Sequence, residues 1–461
     1  MKSKLKNFKS ILAVFMGLAV LCPLVWVLIS RLEGTEPSMR LEFVSAAIGL
    51  SKELSLTVSD TQSGIRRVWV ALQKGEKETV LFEKKFPGPG LFGGGRIKEE
   101  SFKILIEPRT LGISDGKALL RLTARDLSWR RWWHGNHAYL EKEVFIDTRA
   151  PEIDVLSRMH NITQGGAGLV VYKLSEACPK SGVFVGDDFF PGHSGLFDDA
   201  GIHIALIALA YEHGRGTQMY VQANDNAGNS SRAGFPVYIR RRVFRKDVIN
   251  ISEKFLNWKM PEFKQAISKD AVASLTDQFL WVNRKLRQMN YDQIAELGGF
   301  TESSLHWEGA FLRLPKSARK AGFADRREYR YKGRVIDQQV HLGIDLASVE
   351  RSPVPAANGG KIVFNDYLGI YGKTVIIDHG FGLFSMYSHL SNLSVQKGQT
   401  VSKGERIGYT GMTGLAGGDH LHFSMFIHQT FVNPIEWWDA TWIKNNITRK
   451  VDAVKSRIGD K

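Results

Sequence analysis

Two histidines stand one residue apart in the segment "GGDHLHFSMF", residues 417–426. Side chains alternate along a strand, so His420 and His422 would share one face while Leu421 and Phe423 occupy the opposite face. Two imidazoles on one face are suited to binding a metal ion or to moving protons. The alternative is that one of them is a structural histidine bonded to the backbone, and the spacing leaves both interpretations open.

A second segment, "HLGIDLAS" at residues 341–348, repeats the arrangement with a carboxylate. His341 and Asp345 share one face of an extended chain, and Gly343 between them carries no side chain that would separate them. In a helix the same two residues would also meet, at positions i and i+4. The glycine and the alternating apolar residues favour a strand, and an imidazole beside a carboxylate suits zinc.

A catalytic zinc ion usually takes three protein ligands and keeps a fourth position open. His341, Asp345 and one of His420 and His422 would supply these ligands. The other member of the pair, together with His389 in the segment "MYSHLS", would then be available to handle protons. The spacing does not decide which of His420 and His422 is the ligand.

The elements that must position these residues are short strands. From about residue 301 onward, apolar and polar residues alternate between glycines, as in "KIVFNDYL" and "KTVIIDHG". No long helical pattern interrupts these segments. We therefore predict a mainly antiparallel sheet.

Four ordered segments carry a resemblance to a known family. "HLGIDLA", "YSHL", the turns of "VQKGQTVSKGERIGYTG" and "HLHF" follow one another over about residues 335–436. In this order they resemble the lysostaphin-type, or LytM-type, zinc endopeptidases that cut peptidoglycan peptides. The resemblance implies a sheet-rich domain with a groove, in which Zn2+ is bound by His341, Asp345 and His422. It also implies that His389 and His420 are the catalytic histidines.

Four further residues near these segments receive other interpretations. We expect His379 to be structural rather than catalytic and His428 to be exposed. Tyr387 shares a strand face with His389, where it either lines the groove or packs locally. Ser424 stands where many lysostaphin-type enzymes carry an acidic residue. We expect this departure to affect substrate preference more than activity.

The N-terminus predicts a membrane anchor. Lysines at positions 2, 4, 6 and 9 precede an uncharged apolar segment, residues 11–30. As a helix rising about 1.5 Å per residue, this segment would cross a bilayer. The lysines would stay cytoplasmic, which places the rest of the chain on the extracytoplasmic, periplasmic side. A cleaved signal peptide is the alternative, but the length of the segment and the lack of a clear cleavage site favour a retained anchor.

The pattern of apolar and polar residues in the remaining chain predicts a mainly β protein. Alternating strands with Gly, Ser and Asp turns predict two tandem sandwich modules, which loosely resemble bacterial immunoglobulin-like modules and would act as spacers. Apolar residues at helical spacing predict a connector. The predicted domains are the anchor at 1–32, the modules at 40–148 and 149–242, the helical connector at 243–300, the zinc peptidase domain at 301–440 and a terminal helix at 441–461.

The segment "WRRWWHGNH", residues 129–137, interrupts the first module with three tryptophans around two arginines. Such a loop could stack on sugars or sit among lipid headgroups. Local packing of the tryptophans in a solvated loop is the alternative. We expect His134 and His137 to be surface histidines, since no cysteine or acid stands near them at metal-ligand spacing.

Charge and cysteine content narrow the functional class. The formal net charge of +15 favours anionic surroundings, but the chain contains no nucleic-acid-binding motif. Cys22 lies in the apolar segment and leaves Cys178 without a disulfide partner. No His-Glu-x-x-His segment occurs, which excludes a thermolysin-like peptidase.

The leading hypothesis is an anchored zinc endopeptidase that hydrolyses peptide bonds of peptidoglycan cross-links. Its substrate would be a peptidoglycan peptide, nucleic acid would not be a partner, and the oligomeric state is left open. The alternative is a non-catalytic scaffold that binds the wall or activates a separate amidase.

Overall fold

The computed structural model describes residues 2–42, 45–88, 95, 97–267 and 274–459. Parts of the predicted anchor, first module, connector and terminal helix therefore lie outside the described residues. The chain forms two compact units. The first contains Met1–Ala150 with Asn224–Ser230, and the second contains Pro151–Ala223 with Ser231–Lys461.

The first unit begins with a long helix, α1 (Lys2–Arg31). Its stretch Ile11–Ile29 has a mean hydropathy of 2.7 and is long and apolar enough to cross a membrane. The described side chains of this stretch are mostly exposed, unlike those of a core helix. The apolar helix predicted from the sequence is confirmed.

Two antiparallel sheets follow in the first unit. Their strands are β1 (Ser38–Glu42), β2 (Ala47–Ile48), β3 (Lys52–Ser59), β4 (Ile65–Lys74), β5 (Lys77–Lys85), β6 (Glu99–Ile106), β7 (Gly116–Asp126) and β8 (His137–Ile146), with a short helical turn α2 (Arg130–Trp133) before β8. One sheet has the order β1-β3-β6. The other has the order β2-β8-β7-β4-β5, in which only β2 runs parallel to its neighbour.

Alternation along these strands builds the core of the first unit. Leu54, Leu56 and Val58 of β3 are buried, and Leu54 stands opposite Ile104 of β6. Burying every second side chain leaves the other face of each strand in contact with solvent. The immunoglobulin-like assignment of this module and of the next stays a prediction.

The second unit begins with the strands of the second predicted module. These are β9 (Ile153–Val155), β10 (His160–Thr163), β11 (Ala167–Leu174), β12 (Lys180–Val185), β13 (Asp188–Pro191), β14 (Ile202–Ala208), β15 (Met219–Asn224), β16 (Ser230–Gly234) and β17 (Val237–Arg240). They form sheets with the orders β10-β17, β14-β11-β9 and β13-β12-β15-β16. Their apolar residues belong to the same hydrophobic core as those of the C-terminal region.

The segment predicted as a helical connector starts with a strand, β18 (Lys246–Ile251). Its helices are α3 (Glu253–Lys259), α4 (Leu275–Trp281) and α5 (Arg287–Gly298), with a 3-10 turn at Met260–Phe263 and a π turn at Val282–Leu286. Strand β18 pairs in parallel with β20 (Asp325–Tyr331). Parallel pairing with a strand so far along the chain leaves no local signal in the sequence. The predicted domain boundaries stay a prediction.

The C-terminal region is built on one large antiparallel sheet, as predicted. Its order is β19-β22-β30-β26-β25-β24-β28, and β31 pairs with β30. Strand β19 (Ala318–Ala321) precedes β20 in this region. The strands that follow β20 are β21 (Arg334–His341), β22 (Ile344–Ala347), β23 (Pro353–Pro355), β24 (Gly360–Leu368), β25 (Gly372–Asp378), β26 (Leu383–Leu390), β27 (Asn392–Leu393), β28 (Thr400–Val401), β29 (Arg406–Tyr409), β30 (Leu421–Ile427) and β31 (Thr430–Val432).

After β31 the described part of the chain forms helices. They are α6 (Pro434–Trp438), α7 (Ala440–Ile443) and α8 (Arg449–Ile458), with a π turn at Lys444–Thr448, and a further 3-10 turn lies at Gly369–Tyr371. Trp437 is fully buried in the common core. The C-terminal sheet and these helices therefore form one packed body.

Candidate metal centre

Strand register brings two of the predicted ligands face to face. In the antiparallel pair β22 and β30, Asp345 stands directly opposite His422. His341 ends the neighbouring strand β21. Its Nε2 lies 3.0 Å from Oδ1 of Asp345 and 3.0 Å from Nδ1 of His422, and that Nδ1 lies 2.9 Å from the same Oδ1. The three residues expected to bind a metal therefore converge on one point.

The glycine between His341 and Asp345 is required by this convergence. A Cβ atom at Gly343 would lie 2.5 Å from two ring atoms of His422 and 2.6 Å from Oγ of Ser424. Side chains do not approach each other so closely. Any residue other than glycine would push the His422 ring out of its position.

Hydrogen bonds around the cluster fix which ring nitrogens carry hydrogen. Nδ1 of His341 lies 2.8 Å from the carbonyl oxygen of Gly322, which can only accept, so Nδ1 donates and Nε2 presents a lone pair. Ser424 donates its single hydroxyl hydrogen to the carbonyl of Leu342 at 2.7 Å. Its Oγ must then accept from Nε2 of His422 at 2.9 Å, which leaves a lone pair on Nδ1 of His422.

Three lone pairs thus face one another with no hydrogen between them. They belong to Nε2 of His341, Nδ1 of His422 and Oδ1 of Asp345. Such an arrangement is repulsive unless a cation sits among the three atoms, and hydrogen bonds that orient ligand imidazoles through their other nitrogen are typical of metal sites. The residues present therefore fit a divalent metal ion, and the three side chains form a group able to hold one.

The charge states also suit metal binding. Burial alone would raise the pKa of Asp345, but His341, His420 and His422 hold it well below its usual value. Burial lowers the pKa of His422 to about 4. The site consequently offers an ionised carboxylate and a neutral imidazole near neutral pH, which are the forms that bind metals.

Arg327 of β20 holds the other oxygen of the Asp345 carboxylate. Its guanidinium donates to Oδ2 of Asp345 at 2.7 Å and is largely enclosed by protein. This hydrogen bond leaves Oδ1 free to face the two histidines. Sequence reasoning missed this residue, because its partner Asp345 is set by the packing of β20 and not by neighbouring residues.

The two predicted catalytic histidines lie beside the cluster. The ring of His389 is 4.9 Å from that of His420 and 5.8 Å from that of His422, between centroids. Nδ1 of His389 donates to the carbonyl of Thr413, and Nδ1 of His420 donates to the carbonyl of Gly418, each at 2.8 Å. Nε2 of each ring is therefore not engaged by these carbonyls, and Nε2 of His420 lies 3.6 Å from Oδ1 of Asp345.

The environments of these two histidines differ. Burial lowers the pKa of His389 well below its usual value, with His420 and His422 adding to the effect. Burial also acts to lower the pKa of His420, but hydrogen bonding and attraction to Asp345 outweigh it and raise the pKa. His389 also has a backbone φ of 62°, a left-handed conformation rare for a residue with a side chain and frequent at functional sites.

A cavity of about 360 Å³ adjoins the cluster. His341, Asp345, His389, His420 and His422 all line it. Its other walls come largely from apolar and aromatic side chains of the connector and of neighbouring strands, among them Ile249, Phe255, Phe279, Tyr329, Ile370 and Leu415. The cavity therefore combines polar groups at one wall with apolar surface elsewhere, as small-ligand sites do.

Other singled-out residues lie elsewhere. His379 is buried, with its ring nitrogens on the Gly359 carbonyl and the Ser385 hydroxyl, which is the arrangement of a structural histidine. Tyr387 packs in the core, where its hydroxyl accepts from the backbone N–H of Ala357. The prediction that His428 is exposed is wrong, because its Nδ1 donates to the carbonyl of Gly298 and its ring is buried.

Similarity to known proteins falls on this same region. Residues 339–434 match Peptidase family M23. The DD-carboxypeptidase/endopeptidase Mpg of Neisseria meningitidis is 41% identical over 97 residues, which are 21% of this chain and 22% of that protein. The peptidoglycan DD-endopeptidase ShyA of Vibrio cholerae is 35% identical over 130 residues, which are 28% of this chain and 30% of that protein. The matches thus span less than a third of the length of these curated relatives.

A solved structure is also similar to part of this chain. The catalytic domain of lysostaphin from Staphylococcus simulans is 28% identical, with a TM-score of 0.25, and the match covers 28% of this chain and 98% of that domain. The match of residues 339–434 places a domain of Peptidase family M23, the LytM or lysostaphin type, in the C-terminal region of this chain.

Proposed function

We propose that this chain is a membrane-anchored zinc endopeptidase that hydrolyses peptide bonds of peptidoglycan cross-links. The observation that carries the proposal is the meeting of three lone pairs, from His341, Asp345 and His422, at one wall of a cavity. The M23 domain and the names of its relatives supply the reaction class and the substrate.

Zinc is the metal that best suits these ligands. Two imidazole nitrogens and one carboxylate oxygen form a set typical of catalytic zinc, which keeps a fourth position open. A zinc ion held there would supply Lewis-acid activation of a water molecule and of the scissile carbonyl. Arg327 and Ser424 would hold the ligands in orientation by keeping the Asp345 carboxylate and the His422 ring fixed.

His389 and His420 would handle the protons of the reaction. The neutral His389 would accept a proton at Nε2 from the attacking water, since its Nδ1–H is committed to the Thr413 carbonyl. His420, whose pKa is raised, would carry a proton at Nε2 more readily. It would donate to the developing oxyanion or to the leaving amine. Two groups whose pKa values are displaced in opposite directions are suited to acid and base roles.

The apolar helix α1 supports an anchor. Its lysine-rich start would remain in the cytoplasm, and the two β modules would carry the peptidase domain on the extracytoplasmic side. Peptidoglycan lies on that side of the membrane. The proposed orientation therefore brings the enzyme and its substrate into one compartment.

The test uses the full chain, purified in detergent, and cross-linked muropeptide dimers of defined sequence. Mass spectrometry should show one amide bond hydrolysed when zinc is bound. The variant His341→Ala should lose zinc and activity, and His389→Ala should keep zinc and lose activity. His306→Ala, which removes an exposed histidine of the same region, should change neither.

The opposite outcome would favour a scaffold. Stoichiometric zinc in the unaltered protein without cleavage of any dimer would contradict the endopeptidase proposal. Binding of wall material or stimulation of a separate amidase by the same preparation would then point to a non-catalytic role.

A further inference from the structure

The loop of residues 129–135, here called the tryptophan loop, carries two large rings that its own unit does not bury. Trp132 is 87% exposed and Trp133 is 63% exposed. Local packing of these tryptophans, one of the alternatives open from the sequence, is therefore not what the structure contains. Adjacent exposed aromatic rings are typical of a surface that meets a partner or a membrane interface.

Hydrogen bonds tie this loop to the end of the apolar helix α1. The backbone N–H of Trp129 donates to the carbonyl of Arg31 at 2.6 Å, and Nε of Arg130 donates to the carbonyl of Leu32 at 2.8 Å. The guanidinium of Arg31 lies 5.5 Å from the centroid of the Trp129 ring. The first residues after the span are thus built into the module, and the tryptophan loop stays beside the end of the span.

Chain geometry limits how far the exposed rings can lie from the end of α1. Trp132 follows Trp129 by three residues, so its backbone lies within roughly 11 Å of the chain at Trp129 and hence of the end of α1. The polar headgroup layer on each side of a bilayer is about 5–8 Å deep. With α1 across the membrane, the tryptophan loop is therefore within reach of the headgroup layer.

The charges of the loop favour an anionic surface. Arg130 and Arg131 are exposed. Exposed Arg66 lies close as well, since its guanidinium donates to the carbonyl of Trp133. The loop itself contains no acidic residue. Basic residues next to a span are attracted to anionic lipids, and tryptophan prefers the headgroup level of a bilayer.

The backbone of the loop is also unusual. Arg131, Trp132 and Trp133 have φ values of 54°, 56° and 65°, a left-handed conformation that residues with side chains rarely adopt. Backbone strain of this kind persists where the surrounding structure enforces it, and it clusters at functional sites. Because the rings gain no burial within the unit, the conformation favours a role outside it.

From these observations we propose that the tryptophan loop sits in the headgroup layer of anionic phospholipids and seats the N-terminal module on the membrane. The inference rests on the proposed membrane anchor and adds a second contact beside it. The N-terminal module would then contact the bilayer through both α1 and the tryptophan loop, rather than through α1 alone.

Tryptophan quenching by brominated lipids tests this placement. The full chain is reconstituted into vesicles of phosphatidylcholine and phosphatidylglycerol with bromine at acyl positions near or far from the headgroup. The double variant Trp132→Phe/Trp133→Phe should lose roughly half of the quenchable fluorescence. It lacks two of the four tryptophans in the span and the loop, which are Trp26, Trp129, Trp132 and Trp133. The fluorescence of Trp132 and Trp133 is the difference between the unaltered protein and the double variant. It should be quenched more by the shallow bromines than by the deep ones.

Two single variants make the result unambiguous. Trp258→Phe removes a tryptophan that is 44% exposed in the other unit and should leave the amount of lipid-quenched fluorescence unchanged. Trp26→Phe removes a tryptophan of the span and should lower it. A drop with Trp26→Phe but none with the double variant would overturn the loop inference and leave the anchor standing. Absence of any lipid quenching would overturn both.

The lipid class is tested by the same measurement in pure phosphatidylcholine. The contribution of the two loop tryptophans should fall there, since Arg130 and Arg131 lose their anionic partners. Equal quenching in neutral vesicles would overturn the assignment of anionic headgroups. Protection of the loop tryptophans only by isolated wall sacculi would replace the lipid with glycan as the partner.

Discussion

Arg327 and Asp345 form an ion pair at 2.7 Å through Oδ2 of the carboxylate, while Oδ1 of the same carboxylate faces His341 and His422. One residue from a separate strand thus fixes which oxygen is offered to a metal. The pair couples β20 to β22, the strand that carries Asp345.

Loss of this ion pair should weaken metal binding. In Arg327→Met the carboxylate can rotate, and residues that orient metal ligands typically change affinity by about 10- to 100-fold. Zinc competition with a chelating dye should show a loss in this range. Arg326→Met, which alters the exposed neighbouring arginine, should bind zinc as the unaltered protein does. Equal affinities for the two variants would contradict a positioning role for Arg327.

Gly343 offers a steric test of the same cluster. Its Cβ position is 2.5 Å from the His422 ring, so Gly343→Ala should displace that ring. We expect a loss of about 1–3 kcal/mol in the free energy of unfolding and loss of stoichiometric zinc. Gly214→Ala is the matched control, since nothing lies within 4 Å of a Cβ there. Full zinc occupancy in Gly343→Ala would show that the close approach is not needed.

Metal removal should destabilise the C-terminal region. Three lone pairs face one another in the cluster, and a ligand that binds only the folded state stabilises by about 2.7 kcal/mol at a hundredfold excess over its Kd. Chelation should therefore lower the melting temperature, and added zinc should restore it. The His422→Ala variant should melt at one temperature with or without zinc, and a persisting zinc effect there would place the metal elsewhere.

Glu436 predicts a pH dependence of stability that is independent of the metal site. Burial raises the pKa of its carboxyl group to about 7 from 4.5, although the N–H of Ala167 donates to it at 2.8 Å. The folded state then holds a proton that the unfolded chain releases at lower pH. The free energy of unfolding should fall as the pH rises from about 4.5 to about 7, by roughly 3 kcal/mol in total.

Substitution separates this contribution from the others. Glu436→Gln cannot ionise, so urea unfolding should show a smaller decline over the same pH range than in the unaltered protein. Glu308→Gln replaces an exposed glutamate and should retain the full decline. Parallel pH profiles for the unaltered protein and Glu436→Gln would contradict the assignment.

Part of the candidate metal centre could be predicted because alternation along a strand is a local rule. It groups His341 with Asp345 and His420 with His422 in the sequence, although His341 ends β21 and Asp345 lies in β22. Alternation does not tell which of His420 and His422 faces the carboxylate. The register of β22 against β30, which sets Asp345 opposite His422, answers this question and is a property of the folded sheet.

Residues that depend on distant contacts escaped prediction. Arg327 lies among several basic residues, and only the position of β20 turns it toward Asp345. His428 reads as exposed at the end of a strand, but Gly298 at the end of α5 covers it. From the sequence, strand β18 is assigned to the helical connector because its partner, β20, lies far along the chain. In each case the deciding contact is made by tertiary packing rather than by neighbouring residues.

The most direct test of the account is zinc anomalous scattering from crystals of the full chain. The account predicts one strong peak about 2.0–2.2 Å from Nε2 of His341, a carboxylate oxygen of Asp345 and Nδ1 of His422. It also predicts loss of that peak in His422→Ala. A zinc-replete crystal with no density among these three atoms, or with its zinc bound elsewhere, would contradict the account.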